Sequence, residues 1–305
     1  MMRRVRACFE AAGVLEVDTP ALAAAAVSDT QIESLAIDGS AISKLPLFLH
    51  TSPEFCMKRL LADGYPDIFS ICRVFRDGEA GRQHQPEFTM IEWYRRGMEL
   101  SEIVEDAVAV IQCALDDMAP AAPPAELDYC EAVRDATGLD PLTTDVASLA
   151  SVLQADARLR DALGQEKDDW LDLLLATLVV PGFARDRLTI LKHYPASQAA
   201  LARLCPANPA VADRFEIFLG PIELANGYVE LTDAAEQAAR IAADNEARAR
   251  RGRPVRPVDT NLLGALESGL PECAGVAMGF ERLQMIHDQT DDIRDVITFA
   301  FETDQ

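Results

Sequence analysis

The chain has 305 residues, about two average domains' worth. Apolar residues make up 49% and charged residues 26%, an ordinary globular composition that excludes a disordered chain. The 28 Lys+Arg against 50 Asp+Glu leave a net charge of −22, which argues against a protein that wraps a nucleic-acid backbone.

Early arginines precede Val17, but Glu10 and Glu16 interrupt any apolar core, so no signal peptide is expected. The cysteines, seven in all, form no C-x-x-C pair, and the four histidines show no metal spacing. The longest apolar stretch, Leu173–Ala184, contains Pro181 and Gly182 and falls short of the ~20 residues of a membrane span. These features predict a cytoplasmic protein with no membrane segment.

Asp67–Arg96 reads as two strands around a polar loop, Asp77–Pro86, with Gly78 and Gly81 as turn residues. The period of two puts Phe88, Met90, Glu92 and Tyr94 on one face of the second strand, and Thr89, Ile91 and Trp93 on a core face. Rings mixed with a carboxylate suit a half-polar ligand. Arg76 ends the first strand, where its planar fork can hold a phosphate. A plain hairpin with a surface arginine fits the same pattern.

A helix is expected from about Ser101 (as N-cap) to Met118, then a proline-rich connector over Ala119–Glu126. Residues 127–185 read as helical, with Leu149, Val152, Leu153, Leu159 and Leu163 in one stretch and Trp170–Val180 in another. Residues 188–232 turn strand-like. With a turn centred between Leu219 and Gly220, Glu216 falls opposite Glu223, a like-charge pair that a divalent cation would relieve. Two solvated edge glutamates remain the alternative. A polar helix follows over 233–251, and the final 55 residues hold one more strand and one more helix. On that strand Gly275, Ala277 and Gly279 share a nearly bare face opposite Val276, Met278 and Phe280. A flat ligand, or another backbone segment, would fit against it. Arg282 follows at the start of the helix. Arg248, Arg250, Arg251, Arg253 and Arg256 form a local basic cluster, either complementing a helix dipole or docking an acidic partner.

FRDGEAGRQHQPEFTMIEWY resembles motif 2 of the class II aminoacyl-tRNA synthetases, and GVAMGFERL resembles their motif 3. VLEVDTP, ending at Pro20, resembles the end of motif 1, the dimer-interface element. HTSPEFCMKRLL and ELANGYVELTD are similar to lysine-specific members. The resemblance implies an α+β fold, an antiparallel sheet flanked by helices, as a single catalytic domain over 1–305 with 120–187 as a helical insertion. A lysyl enzyme of the family carries an anticodon-binding barrel of about a hundred residues ahead of motif 1. With Pro20 so near the start, the chain resembles instead the short paralogues that join (R)-β-lysine to a lysine of translation elongation factor P.

That resemblance implies roles position by position. Ser52, Pro53 and Glu54 would read the amino group near the substrate carboxylate, and Glu92, Tyr94 and Glu230 the far ammonium. Ala277 stands where lysyl-tRNA synthetases have glycine, and its methyl would disfavour the α-amino pose by ~1–3 kcal/mol. The ATP set would be Arg76, Asp77, Gly78, Glu79, His84, Gln85, Phe88, Glu223, Leu224, Gly279 and Arg282, with Arg76 and Arg282 on the phosphates. Phe88 and Arg282 would sandwich the adenine. Glu216 and Glu223 would hold Mg²⁺. The chain departs from the family at Asp77-Gly78, where Asn-Glu is common, at Gln85, where Asn is usual, and at Glu281, where Asp is common. A homodimer, ATP, Mg²⁺, lysine or β-lysine and elongation factor P are the implied partners. The alternatives are a tRNA- or small-amine-acylating enzyme, which the −22 charge disfavours for tRNA, and a non-catalytic regulator. Retention of Arg76, Glu216, Glu223 and Arg282 speaks against the regulator.

Overall fold

A computed structural model describes residues 1–39 and 41–301. In chain order it runs α1 (Met2–Ala11), β1 (Leu15–Glu16), β2 (Leu22–Ala23), β3 (Ala36–Ile37), β4 (Leu47–Leu49), α2 (Glu54–Ala62), β5 (Ile68–Phe75), β6 (Glu87–Arg96) and α3 (Leu100–Leu115). Then come β7 (Ala125–Asp128), α4 (Tyr129–Thr137), α5 (Val146–Val152), α6 (Ala157–Leu163), α7 (Lys167–Leu174), β8 (Leu188–Lys192), β9 (Arg214–Leu219) and β10 (Ile222–Val229). The chain finishes with α8 (Ala234–Arg250), α9 (Thr260–Gly269), β11 (Cys273–Gly279) and α10 (Phe280–Asp288). It divides into two compact units, Met1–Ala119 with Val229–Gln305, and Pro120–Tyr228.

In the first unit β5, β6 and β11 are antiparallel neighbours, and the short β1 pairs parallel to β5. A small sheet, β2-β4-β3, lies beside them in sequence. The two faces of β6 meet different surroundings. Ile91 and Trp93 are fully buried, with the Phe9 ring of α1 at 5.3 Å from Trp93 and 4.4 Å from Phe69. Tyr94, on the opposite face, packs with Met57 and Leu61 of α2 and Leu262 and Leu266 of α9. Glu92 is therefore held at the bottom of a face that is only partly apolar. Glu281 of α10 fixes the other end, accepting the Thr89 N–H at 2.9 Å.

In the second unit β10, β9 and β8 are antiparallel, and β7 runs parallel to β8. Tyr129, Trp170, Leu174, Tyr194 and Phe218 belong to its apolar core. The expected fold class, α+β with antiparallel strands and flanking helices, is the one observed. The short β1 and β7 pair in parallel with β5 and β8.

Several local expectations are corrected. Helix α3 is capped by Glu99, not Ser101: Glu99 and Glu102 form a reciprocal capping box that satisfies two otherwise orphaned N–H groups. Residues 125–128 form β7 rather than extending the connector into a helix. The leucines from 149 to 163 belong to two helices, broken where Gln154 takes a positive φ of 50°. The final stretch holds two full helices, since Asp259 caps α9 by accepting from Asn261 and Leu262 N–H groups. Phe280 is the first residue of α10, not part of the strand.

Two members of the arginine cluster are internal. Arg248 is fully buried and donates to Pro254 O, Asp29 O and both carboxylate oxygens of Glu33. Arg256 also pairs with Glu33 and lies 5.3 Å over the Phe48 ring, and Arg253 donates to Thr30 O. These arginines fasten the end of α8 to the 29–33 segment. A docking role for Arg248 and Arg256 is set aside, because buried, paired guanidinium groups offer no charge to a partner, whereas Arg253 stays exposed.

Candidate active site

In the first unit the implied substrate residues meet in one network. Ser52 precedes α2, and its hydroxyl accepts the Glu54 N–H at 2.9 Å while donating to Glu92 Oε2 at 2.7 Å. Pro53 is the N-cap of that helix. Tyr94 donates to Glu92 Oε1 at 2.8 Å. Glu230, just past β10, is anchored by its N–H to Cys273 O at 2.9 Å. The cross-strand register sets Ala277 opposite Glu92 and Gly275 opposite Tyr94.

One residue joins the network that sequence reasoning passed over. Lys58, only 1% exposed, places Nζ 2.7 Å from Glu54 Oε1 and 2.5 Å from Glu230 Oε2. The signal was present as an i,i+4 Glu–Lys pair in the quoted HTSPEFCMKRLL segment. Burial pushes the Glu92 carboxyl up to about 8, with the Glu54 charge adding to the push. Burial also holds the Glu230 carboxyl well above the usual carboxylate range, against the pull of Lys58. Conversely, Glu230 and Glu54 keep the buried Lys58 ammonium charged. Glu230 Oε1 has no hydrogen-bond partner among the described residues, although the side chain is fully buried. An unmatched buried acceptor of this kind is expensive unless a donor arrives.

The bare face of β11 turns out to have two different uses. A Cβ on Gly275 would stand 2.5 Å from both Glu230 Oε1 and Tyr94 Cε1, so this glycine makes room for the protein's own side chains rather than for a flat ligand. Gly279 is more open, its nearest neighbour being the Arg282 side chain at 3.7 Å.

The implied ATP residues of this unit form two contacts. Arg76 lies 5.2 Å over the Phe88 ring and 3.6 Å from Glu79, and its buried Nε has no hydrogen-bond partner among the described residues. Arg282 stands 2.8 Å from His84 Nε2. Between them Asp77 N–H bonds Glu33 O, and Gly78 takes a φ of 77° that only glycine adopts freely. Gln85 is buried and accepts the Phe301 N–H at 2.7 Å.

The second unit carries Glu216 and Glu223, and the expected pairing is corrected. The turn is Gly220–Pro221, so Glu223 pairs with Phe218, and a bulge between Glu223 and Ala225 sets Glu216 opposite Asn226. The acids are diagonal neighbours, still on one face. Burial, and after it the Glu223 charge, raises the Glu216 carboxyl, while Arg214 donates to Glu216 Oε1 at 2.7 Å. Two hard carboxylates repelling each other on one strand face suit a divalent cation. Leu224 is buried. The unit also gathers His193, Cys205 and Asp213 within 4.8 Å, a grouping the sequence spacing did not show. There Arg203 already pairs with Asp213 at 2.8 Å and Asp128 bonds His193 at 3.0 Å.

No helix among the described residues is long and apolar enough to cross a membrane. The family model for class II tRNA synthetases (D, K and N) matches residues 1–303. A protein of Klebsiella pneumoniae subsp. pneumoniae named "Elongation factor P--(R)-beta-lysine ligase" is 41% identical, over 99% of this chain and 93% of its own. Proteins of the same name from Sodalis glossinidius and Pseudoalteromonas translucida are each 42% identical, over 98% of this chain and 92% of theirs. Matched along nearly its whole length by the family model, the chain belongs to the class II tRNA synthetase family.

Proposed function

We propose that this chain is an ATP-dependent ligase that activates (R)-β-lysine, or lysine, and transfers it to a lysine side chain of elongation factor P. The similar proteins carry the name of that activity. The observation that carries the reading is the unmatched, buried Glu230 Oε1 beside Glu92 and Tyr94. An organic ammonium group brought there would supply the missing donor and favour the ionised carboxylate that burial disfavours.

In the first step the substrate carboxylate oxygen attacks the α-phosphorus of ATP, and the bond to pyrophosphate breaks. Arg76 and Arg282 neutralise the charge that develops on the phosphates. Arg76 suits that task because its buried Nε still lacks a partner among the described residues. Glu216 and Glu223 would hold Mg²⁺, which when bound offsets phosphate charge. In the second step an acceptor lysine amine attacks the acyl carbonyl, loses a proton, and AMP departs. No enzyme nucleophile is required, so orientation supplies much of the rate. We place the enzyme in the reducing cytoplasm, where its free cysteines persist, and as a homodimer formed through the motif 1-like segment.

ATP–pyrophosphate exchange tests the reading. Exchange that depends on (R)-β-lysine or lysine is the expected result. No exchange with either would overturn it.

A further inference from the structure

The two steps above leave Lys58 without a role, yet no other ammonium in the substrate network is buried so completely. It arises from the second turn of α2, and fully buried lysines are rare unless paired. The charged and titratable groups around it come from several elements. Glu54 stands on α2, Glu92 and Tyr94 on β6, Glu230 just past β10, and Cys273 on β11, while Cys72 of β5 faces Glu92. Burial pushes both thiols up, so they add no charge. Burial disfavours the charged forms of Glu92 and Glu230, but a cationic substrate would draw them out; with Glu54, Glu92 and Glu230 then ionised, three negative charges meet the one positive charge of Lys58, which leaves two negative. A diamino acid brings two ammonium groups, while its carboxylate, the attacking group, would face ATP, Arg76 and Arg282 and be balanced there. Residual charge in a buried site is costly, so this match favours that substrate class.

Lys58 also touches both ends of the site. It binds Glu54, which the family resemblance sets at the near amino group, and Glu230, set at the far ammonium. We infer that Lys58 is a positioning residue that fixes the charge of the pocket and the spacing of Glu54 and Glu230, fitting it to a substrate with two ammonium groups. The inference rests on the diamino-acid reading of this pocket.

The test is exchange kinetics across pH for the wild type, Lys58→Met and Lys58→Arg, with KM for the diamino acid and for ATP measured separately. Lys58→Met should raise the diamino-acid KM about 10–100-fold and leave the ATP KM within about twofold. Its KM-against-pH midpoint should move up by about one pH unit, because carboxylates without the ammonium ionise less readily. Lys58→Arg keeps the charge, so it should keep the wild-type midpoint while its larger head raises KM. A folded Lys58→Met with wild-type KM and midpoint would overturn the inference. So would Lys58→Arg showing the same midpoint shift as Lys58→Met, the mark of a merely structural lysine. The wild type supplies an arm that does not depend on folding of the variants. Single-ammonium 6-aminohexanoate and norleucine should each exchange at least about 100-fold less efficiently than the diamino acid, and parity would overturn the charge match. A wild type active on a diamino acid but indifferent to Lys58 leaves the proposed function standing. A wild type inactive on every diamino acid removes both.

Discussion

Two carboxylate sets, one in each unit, are built on opposite plans. Glu54 and Glu230 pair with an internal ammonium, Glu92 accepts from the Tyr94 hydroxyl, and one buried oxygen of Glu230 is left unmatched among the described residues. Glu216 and Glu223 share a strand face, and Arg214 donates to Glu216 Oε1 at 2.7 Å. The first plan suits an organic cation, which needs hydrogen-bond acceptors set in a partly apolar wall. The second suits a hard metal ion, which takes carboxylate oxygens as ligands. Charge of one sign is thus put to two chemistries by what surrounds it.

The comparison breaks most visibly in kinetics. Glu230→Gln should cut kcat/KM for the diamino acid by about 10³-fold and leave the Mg²⁺ requirement unchanged. Glu216→Gln should raise the Mg²⁺ concentration needed for half-maximal exchange and spare the diamino-acid KM. Identical profiles for the two variants would mean that the sets are not functionally distinct. Gly275→Ala comes next. Its added methyl would meet Glu230 and Tyr94 at 2.5 Å, so thermal melts should show a loss of about 1–3 kcal/mol, together with a higher diamino-acid KM.

Smaller effects sharpen the picture. Ala277 stands opposite Glu92, and Ala277→Gly should shift the α- to β-lysine preference about tenfold toward α-lysine, read from competing exchange assays. Finally, Glu92 ionises near 8 rather than near its ordinary 4.5. The penalty on its ionised form is absent below about 4.5, grows as pH rises, and is complete above about 8. Glu92→Gln removes that penalty. The melting temperature of the variant relative to wild type should therefore be a few degrees higher at pH 9 than at pH 5. In the wild type, KM for the diamino acid should fall several-fold as pH rises from 7 to 8, since ammonium binding favours the ionised carboxylate.

Much of the site was legible from period and motif. The alternation Phe88–Tyr94 correctly separated Glu92 and Tyr94 from the Ile91–Trp93 core face, because a strand's side-chain period is fixed by the backbone. The same parity kept Glu216 and Glu223 on one face even though their pairing was misassigned. What failed was register, since turn centre and the bulge at Glu223/Ala225 depend on local φ and ψ that the residue pattern does not encode. The bare face of β11 invited a ligand, but space beside Gly275 is filled by Glu230, which lies 45 residues away and is brought there only by tertiary packing. Lys58 was missed for a related reason. Its pair with Glu54 is local and resembles a surface i,i+4 bridge, whereas its burial and its second partner are not. The arginine cluster misled in the opposite direction: its partner Glu33 lies in a segment with no pattern of its own.

The most direct test of the central claim is mass spectrometry of elongation factor P after incubation with this protein, ATP, Mg²⁺ and (R)-β-lysine. The account predicts a mass increase of one lysyl residue on a single lysine, lost in Glu230→Gln. Unmodified elongation factor P, under conditions where the same preparation supports pyrophosphate exchange, would contradict it.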